Sequence, residues 1–293
     1  LMVFFFFFID GWLESIVKNT TRNETGHIQI ITKDFEKKEE FLPVDTNIKD
    51  PEEMIKTINT DEELSSQVDL ITQRIRFGVL LANDGKNVRA MGVAGEAEKE
   101  KELLMLHSSI VEGRYLKEKR DIIIGKGLAE RLDYSLGDEV KVVTQGSMSA
   151  LRLRKFTVAG IFKTGVRQMD DSLFQISLED GKALLRMEEE VQQMVIMLAD
   201  YRLAGEVASR IRTIIDGNSL VVRPWSAIGG IANMINLVRV IFNVMNVAIG
   251  LLGAIIITNV MMMVVLERKK EIGIMKSLGF TEGRILSIFL LEG

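Results

Sequence analysis

The sequence contains no cysteine and only two histidines, His27 and His107. The first absence removes disulfides, thiolate nucleophiles, iron–sulfur clusters and cysteine-based zinc sites. The second leaves too few imidazoles for a histidine-rich metal site. Positive charge is not in excess either: 37 Lys and Arg stand against 41 Asp and Glu, a formal net charge of −4. That argues against nucleic acid as a partner held by a global positive field. Catalytic fingerprints are missing as well. Gly160 to Gly165 has the spacing of a phosphate loop, but Val166 and Arg167 follow where Lys and Ser/Thr are required. No Gly-x-Ser-x-Gly elbow and no dinucleotide glycine fingerprint occur. The expectation is no catalytic, cofactor-binding or metal-binding residue in this chain. His27 lies in a strand pattern and reads as structural. Asp170-Asp171 reads as a loop or turn before a strand rather than as a metal site, and the sequons at Asn19 and Asn23 read as chance.

What is present is segregation. The 293 residues allow about two domains. With 47% hydrophobic and 27% charged residues, global disorder is excluded. Mean hydropathy is nonetheless slightly positive, at +0.15. Apolar and charged residues therefore sit in different parts of the chain. From Val240 to Leu266 there is no charged residue over 27 positions. A helix of that length reaches about 40 Å, against a hydrocarbon core of about 30 Å. The competing reading is a buried helix of a soluble protein, and so long an uncharged stretch is rarely tolerated there. Pro224 suits the first turn of this helix, with Trp225 as an interfacial or packing residue.

Glu267 to Lys276 follows directly and carries four basic residues. The positive-inside rule places this end in the cytoplasm and the preceding soluble region outside it. Ile272, Met275 and Leu278 recur at i, i+3 and i+6, one apolar stripe, and Gly279 is a helix stop. Two readings stand on physics alone: an element that passes force to a cytoplasmic partner, or a basic loop that only fixes topology. Within the span, Gly250 with Ala254, and Gly253 beside them, offer a small face for close helix approach. Asn236, Asn243, Asn246 and Asn259 are candidates for hydrogen bonds across a dimer. The Met261–Met263 run reads as lipid-facing or packing surface.

The region from Asp10 to Arg223 reads as soluble and mixed α/β. Gly26–Ile31, Val68–Leu81, Val88–Val93, Asp121–Gly125, Val140–Val143, Phe156–Phe162 and Met194–Leu198 pattern as strands. Helices are expected from Pro51 to Ile58, Ala97 to Leu106, Lys126 to Leu132, Leu178 to Met187 and Leu203 to Ile215. Asn83-Asp84-Gly85 is a turn signal. Lys33–Glu40 and Glu96–Glu102 read as solvated faces or loops. Met2–Ile9 is apolar but too short to span, and a second apolar run begins at Ile285. The chain reads as a fragment of a multi-span protein.

These residues resemble a known family. Glu267-Arg-Lys-Lys-Glu-Ile-Gly-Ile-Met-Lys-Ser-Leu-Gly279, with Arg284-Ile-Leu286 and Phe289–Gly293, is similar to the second-span junction of the MacB/FtsX-like ABC permeases. These are type VII ABC systems and include lipoprotein-releasing LolC/LolE-like permeases. Gly26–Ile30 resembles the first strand of the family's outer domain. Ile122–Ala129 with Leu136-Gly137-Asp138 resembles its central signature. Phe156–Phe162 through Asp171-Ser172-Leu173 and Leu178-Glu179-Asp180 is similar to the lipoprotein-releasing branch.

The resemblance implies an α+β extracytoplasmic domain, the MacB-like periplasmic core domain, inserted between transmembrane helices. Residues 1–11 would end a first span. Residues 12–223 would be the core domain and 224–266 a stalk with the second span. Residues 267–279 would be the coupling helix, and 280–293 the start of a third span. Its activity would be that of a transporter permease moving a lipoprotein or another amphiphile by mechanotransmission. An FtsX-like regulator of a cell-wall hydrolase and a membrane-anchored sensor are the alternatives. The resemblance also implies a cytoplasmic ABC ATPase partner that binds the ATP, and a second permease copy or paralogue in a dimer. Membrane lipids and a periplasmic adaptor or lipoprotein carrier complete the partners, in a bacterial inner membrane. Glu267, Arg268, Glu271, Ile272, Met275 and Gly279 would form the ATPase-coupling face, and Gly250, Gly253 and Ala254 a helix-packing face.

Overall fold

The computed structural model describes residues 25–83, 85–103, 106–145, 151–187, 189–215, 219–228 and 230–285, and singly 11, 15, 21 and 287. Met2–Ile9, both sequon asparagines, Asp84 of the expected turn and Phe289–Gly293 lie outside the described residues. The chain divides into two compact units, Glu14–Ala232 and Leu1–Leu13 with Asn233–Gly293.

The larger unit contains, in chain order, β1 (Ile28–Thr32), α1 (Lys33–Lys38), α2 (Pro51–Thr60), α3 (Glu62–Gln67), β2 (Val68–Asn83) and β3 (Lys86–Gly95). Next come α4 (Ala97–Leu103), β4 (Ile110–Gly113), β5 (Asp121–Gly125), α5 (Lys126–Leu132), β6 (Glu139–Gln145) and β7 (Leu151–Phe162). It closes with α6 (Arg167–Ser172), β8 (Leu173–Ser177), α7 (Leu178–Leu185), β9 (Gln193–Leu198), α8 (Ala204–Ile214) and β10 (Leu220–Pro224).

Period-two alternation sets the strands. On β2, Ile71, Ile75, Phe77, Val79 and Leu81 all join the main core cluster, as the pleat requires of residues two apart. Side-chain caps start the helices. Asp61 accepts from the N–H groups of Glu63 and Leu64 ahead of α3, and Ser177 accepts from Asp180 N–H ahead of α7.

The strands run in the order β10-β1-β9-β2-β3-β8-β5-β7-β4. β3 with β8 and β5 with β7 are parallel; the other neighbours are antiparallel. β6 leaves that path and pairs with both β2 and β7. It thereby closes a ring, β2-β3-β8-β5-β7-β6. Phe77, Val88, Ile124, Val142, Phe156 and Phe174 from those six strands belong to the same core cluster. Phe77 and Phe174 meet edge to face at 5.9 Å. β2 is long enough to serve twice: one edge pairs β9 over Val68–Arg74 and β6 over Val79–Ala82. β1 and β10 are antiparallel neighbours with Ile28 opposite Pro224. The first and last strands of this unit therefore lie side by side at one end of the sheet.

Three expectations are corrected. Pro224 ends β10 rather than opening a helix; Trp225–Ala227 then form a 3-10 turn, and the long helix starts at Ile231. A terminal strand position tolerates the missing N–H. The solvated face expected at Lys33–Glu40 is present: α1 exposes its charged side chains and buries Phe35 beneath them. Glu96–Glu102 is not wholly a solvated face: Glu100 is 0% exposed because Arg74 of β2 holds its carboxylate. Asp170 and Asp171 lie in α6, where Asp170 accepts from the N–H groups of Thr164 and Gly165 and from the Thr164 hydroxyl. The helix expected from Ala97 is observed to Leu103.

Two further helices follow, α9 (Ile231–Glu267), which belongs to the smaller unit from Asn233 on, and α10 (Lys269–Ser277). At 1.5 Å per residue the 37 residues of α9 extend about 55 Å. Asn233–Glu267, with a mean hydropathy of 2.5, is long and apolar enough to cross a membrane.

Candidate coupling site

The junction at the end of α9 is built from backbone geometry first. Arg268 (φ −90°, ψ 9°) separates two helices. Its N–H closes the last turn on Val264 O at 3.1 Å, and its carbonyl opens α10 by accepting from Ile272 N–H at 3.1 Å. The far end of α10 is a Schellman motif. Phe280 N–H reaches back to Met275 O and Gly279 N–H to Lys276 O, both at 3.1 Å. Gly279 supplies the left-handed residue that this cap requires, at φ +88°. Thr281 then starts the next helical turn by accepting from Arg284 and Ile285 N–H groups. Lys276 Nζ meets Glu282 Oε1 at 2.7 Å across the turn. Both side chains are exposed, so this pair contributes little to stability.

The six residues expected to couple fall into distinct places. Glu267 is the last residue of α9, and Arg268 sits in the break. Arg268, Ile272 and Met275, at i, i+4 and i+7, form a half-buried line, and Glu271 is exposed. The expected third member of the apolar stripe, Leu278, leaves that line. It lies beyond the helix and is 70% exposed. Ile274 is 60% exposed. Ile274 and Leu278, one turn apart, are therefore open apolar side chains among Lys269, Lys270, Glu271 and Lys276. The i, i+4 spacing of this pair is readable in the sequence. Within α9, Gly250 and Gly253 are half-buried and Ala254 is exposed. Thr258 hydroxyl bonds back to Ala254 O at 2.7 Å.

The larger unit has a second notable grouping, one layer of buried polar groups. Arg74 meets Glu100 by two bonds, Nε to Oε1 at 3.1 Å and Nη2 to Oε2 at 2.8 Å. Thr72 hydroxyl adds a longer contact to Oε1. A Cβ at Gly95 would lie 2.6 Å from Glu100 Cγ, so the bare glycine makes room for this carboxylate. Nearby, Tyr115 donates to Gln175 Oε1 at 3.0 Å. Burial, with the Glu100 charge adding, pushes the Tyr115 hydroxyl pKa up, so it stays a neutral donor. His27 Nδ1 accepts from Leu198 N–H at 2.9 Å, a structural role. This layer fastens α4 to the sheet. Among the described residues no group of three or more His, Cys, Asp or Glu could hold a metal ion.

Residues 1–214 match the MacB-like periplasmic core domain family, and residues 243–293 match the FtsX-like permease C-terminal family. The chain belongs to the MacB/FtsX-like family of ABC transporter permeases, and its outer unit is a MacB-like periplasmic core domain.

Among its relatives is the lipoprotein-releasing system transmembrane protein LolC of Neisseria meningitidis. The two are 28% identical over 226 residues, 73% of this chain and 54% of the relative. LolC of Xylella fastidiosa (strain Temecula1) is 27% identical over 181 residues, 59% of this chain and 43% of the relative. An uncharacterized ABC transporter permease of Methanocaldococcus jannaschii is 31% identical over 191 residues, 62% and 46% of the two chains. The chain thus spans about half the length of the curated relatives it matches. Among solved structures, the extracellular domain of the transporter YknZ from Gram-positive bacteria aligns with a TM-score of 0.46 at 14% identity. That alignment covers 67% of this chain and 98% of the other. The periplasmic region of MacB from Actinobacillus actinomycetemcomitans aligns with a TM-score of 0.46 at 9% identity, over 72% and 94%.

Proposed function

We propose that the chain is a permease subunit that couples ATP hydrolysis by a separate cytoplasmic ATPase to movement of its outer domain. The work would be release of a lipoprotein or efflux of another amphiphile. The observation that carries this reading is the capped α10, a rigid rod closed at both ends by defined turns, with Ile274 and Leu278 open among charges. Such an element suits a groove on a partner: the apolar pair packs, and Lys269, Lys270 and Glu271 set orientation. Glu267 and Arg268 stand at the hinge with α9. At the other end of the mechanism, β1 and β10, the first and last strands of the outer unit, lie side by side. Relative sliding of the two connecting segments would then act directly on one antiparallel strand pair. ATP binds the partner, and this chain holds no cofactor of its own. A second permease copy or paralogue, membrane lipids and a periplasmic adaptor or carrier complete the assembly in the bacterial inner membrane.

The test is capture of the cognate ATPase by the full-length permease in nanodiscs, with ATPase stimulation as the readout. Glu271→Lys with Met275→Asp should abolish both, as should Ile274→Asp with Leu278→Asp. If both double variants fold and stimulate like the parent, coupling through α10 is wrong.

A further inference from the structure

Arg239 is the one charged residue between Arg223 and Glu267. It lies in α9, exposed, and among the described residues it makes no ion pair. Asn236 and Asn243 are at i−3 and i+4, so they share its helix face. Both are exposed too. This face therefore carries a guanidinium between two carboxamides, on a helix whose other polar side chains nearby are those of Asn233 and Asn246.

Depth adds a second, independent observation. Arg239 and Arg268 are 29 residues apart, about 43 Å along a straight helix. A bilayer with its headgroup layers is about 40–45 Å thick. With Arg268 and its basic neighbours at one headgroup layer, Arg239 reaches the phosphate level of the other. A tilt of about 20° shortens the span only to about 41 Å, still within that thickness. A second copy of the chain is the poorer occupant, because a symmetric pairing on this face would bring two Arg239 guanidiniums together. An anion complements the face.

We propose that Arg239, with the amides of Asn236 and Asn243, binds the phosphate headgroup of a phospholipid in the leaflet opposite α10. The guanidinium donates to the phosphodiester oxygens, and the two amides donate from above and below it along the helix. The acyl chains then lie against the apolar surface of α9 below. The inference rests on α9 being a membrane span, as the permease reading holds.

The experiment is native mass spectrometry of the full-length chain in detergent, titrated with phosphatidylglycerol or with a diacylglycerol of the same chains. Lys269→Gln with Lys270→Gln in every sample suppresses binding to the basic cluster at the other end. Phosphatidylglycerol should bind, and diacylglycerol should bind markedly less. Arg239→Gln should weaken phosphatidylglycerol binding about fivefold, the effect of one cation near a headgroup. Arg239→Lys should keep most of it. Asn236→Leu with Asn243→Leu should weaken it severalfold, which an arginine merely reaching for the interface would not require. Equal binding by Arg239→Gln, a silent double asparagine variant, or equal affinity for the diacylglycerol each overturns the proposal. So does efficient disulfide dimer formation by Arg239→Cys, which would put a second copy on this face. Carbonate extraction of the same variants from membranes reports separately on whether α9 spans, so a failure of that premise is distinguishable.

Discussion

Gln192 completes the hydrogen-bond ladder of β2 at Arg76, in the gap where β9 has ended and β6 has not begun. Arg76 N–H donates to Gln192 Oε1 at 2.8 Å, and Gln192 Nε2 donates to Arg76 O at 2.8 Å. The same Nε2 donates to Pro43 O at 2.8 Å and so ties a loop to the joint. Gln192 is fully buried, and its amide stands in for a strand residue. Two residues on, Thr144 hydroxyl donates to Gly78 O in the same role. Gln192→Ala should strand the polar groups of Arg76 and Pro43. A cost of about 2–5 kcal/mol is expected from two or three such groups. Denaturant unfolding followed by tryptophan fluorescence checks it, and a loss under 0.5 kcal/mol would remove the ladder argument.

The Arg74–Glu100 pair should behave as a buried charge pair. Glu100→Gln leaves Arg74 buried without its counter-charge and should cost about 3–5 kcal/mol. Arg74→Met with Glu100→Leu should recover much of that loss, because both charges are then gone. A double-mutant cycle reads this directly. Gly95→Ala should also destabilise, since its Cβ would press on Glu100.

Acid sensitivity should map to Asp121. Burial by itself raises its carboxyl. The hydrogen bond from Arg114, the N–H groups of Glu118 and Lys117 and the Arg114 charge outweigh that and hold it below the ordinary carboxylate value. A depressed folded-state pKa means stability that is present above about pH 4 and lost as pH falls through the folded value. Asp121→Asn should lower the melting temperature at pH 7 and flatten its fall below about pH 4. Parallel pH profiles for the two proteins would contradict this assignment.

Gly279 should be sensitive to substitution where Lys276–Glu282 is not. Gly279→Ala places a Cβ at φ +88° and should cost about 1–2 kcal/mol of local stability in the turn. Hydrogen exchange at Phe280 N–H should rise accordingly. Lys276→Gln should leave that exchange nearly unchanged, as expected of an exposed pair.

Local pattern carried much of this protein. The Asp121–Gly125 strand falls where a short run of isoleucines reads as a buried strand, and the Lys126–Leu132 helix follows it as expected. The charge-free run from Val240 to Leu266 lies wholly within α9, because no partner is needed to make an uncharged stretch of that length helical and membrane-compatible. The turn at Gly279 was also legible, since a left-handed cap has few residues to choose from.

Long-range pairing decided the rest. Nothing local marks β6 as the strand that closes the ring, because closure depends on β2 and β7 arriving at both its edges. Glu100 looks like one more solvated glutamate until Arg74, 26 positions away, removes it from water. Leu278 fits an apolar stripe by count, but the cap at Gly279 takes it out of the helix. Sequence fixes what each residue can do locally through propensity, charge and spacing. Burial and partnership belong to groups brought together from distant positions, and only the folded chain sets those distances.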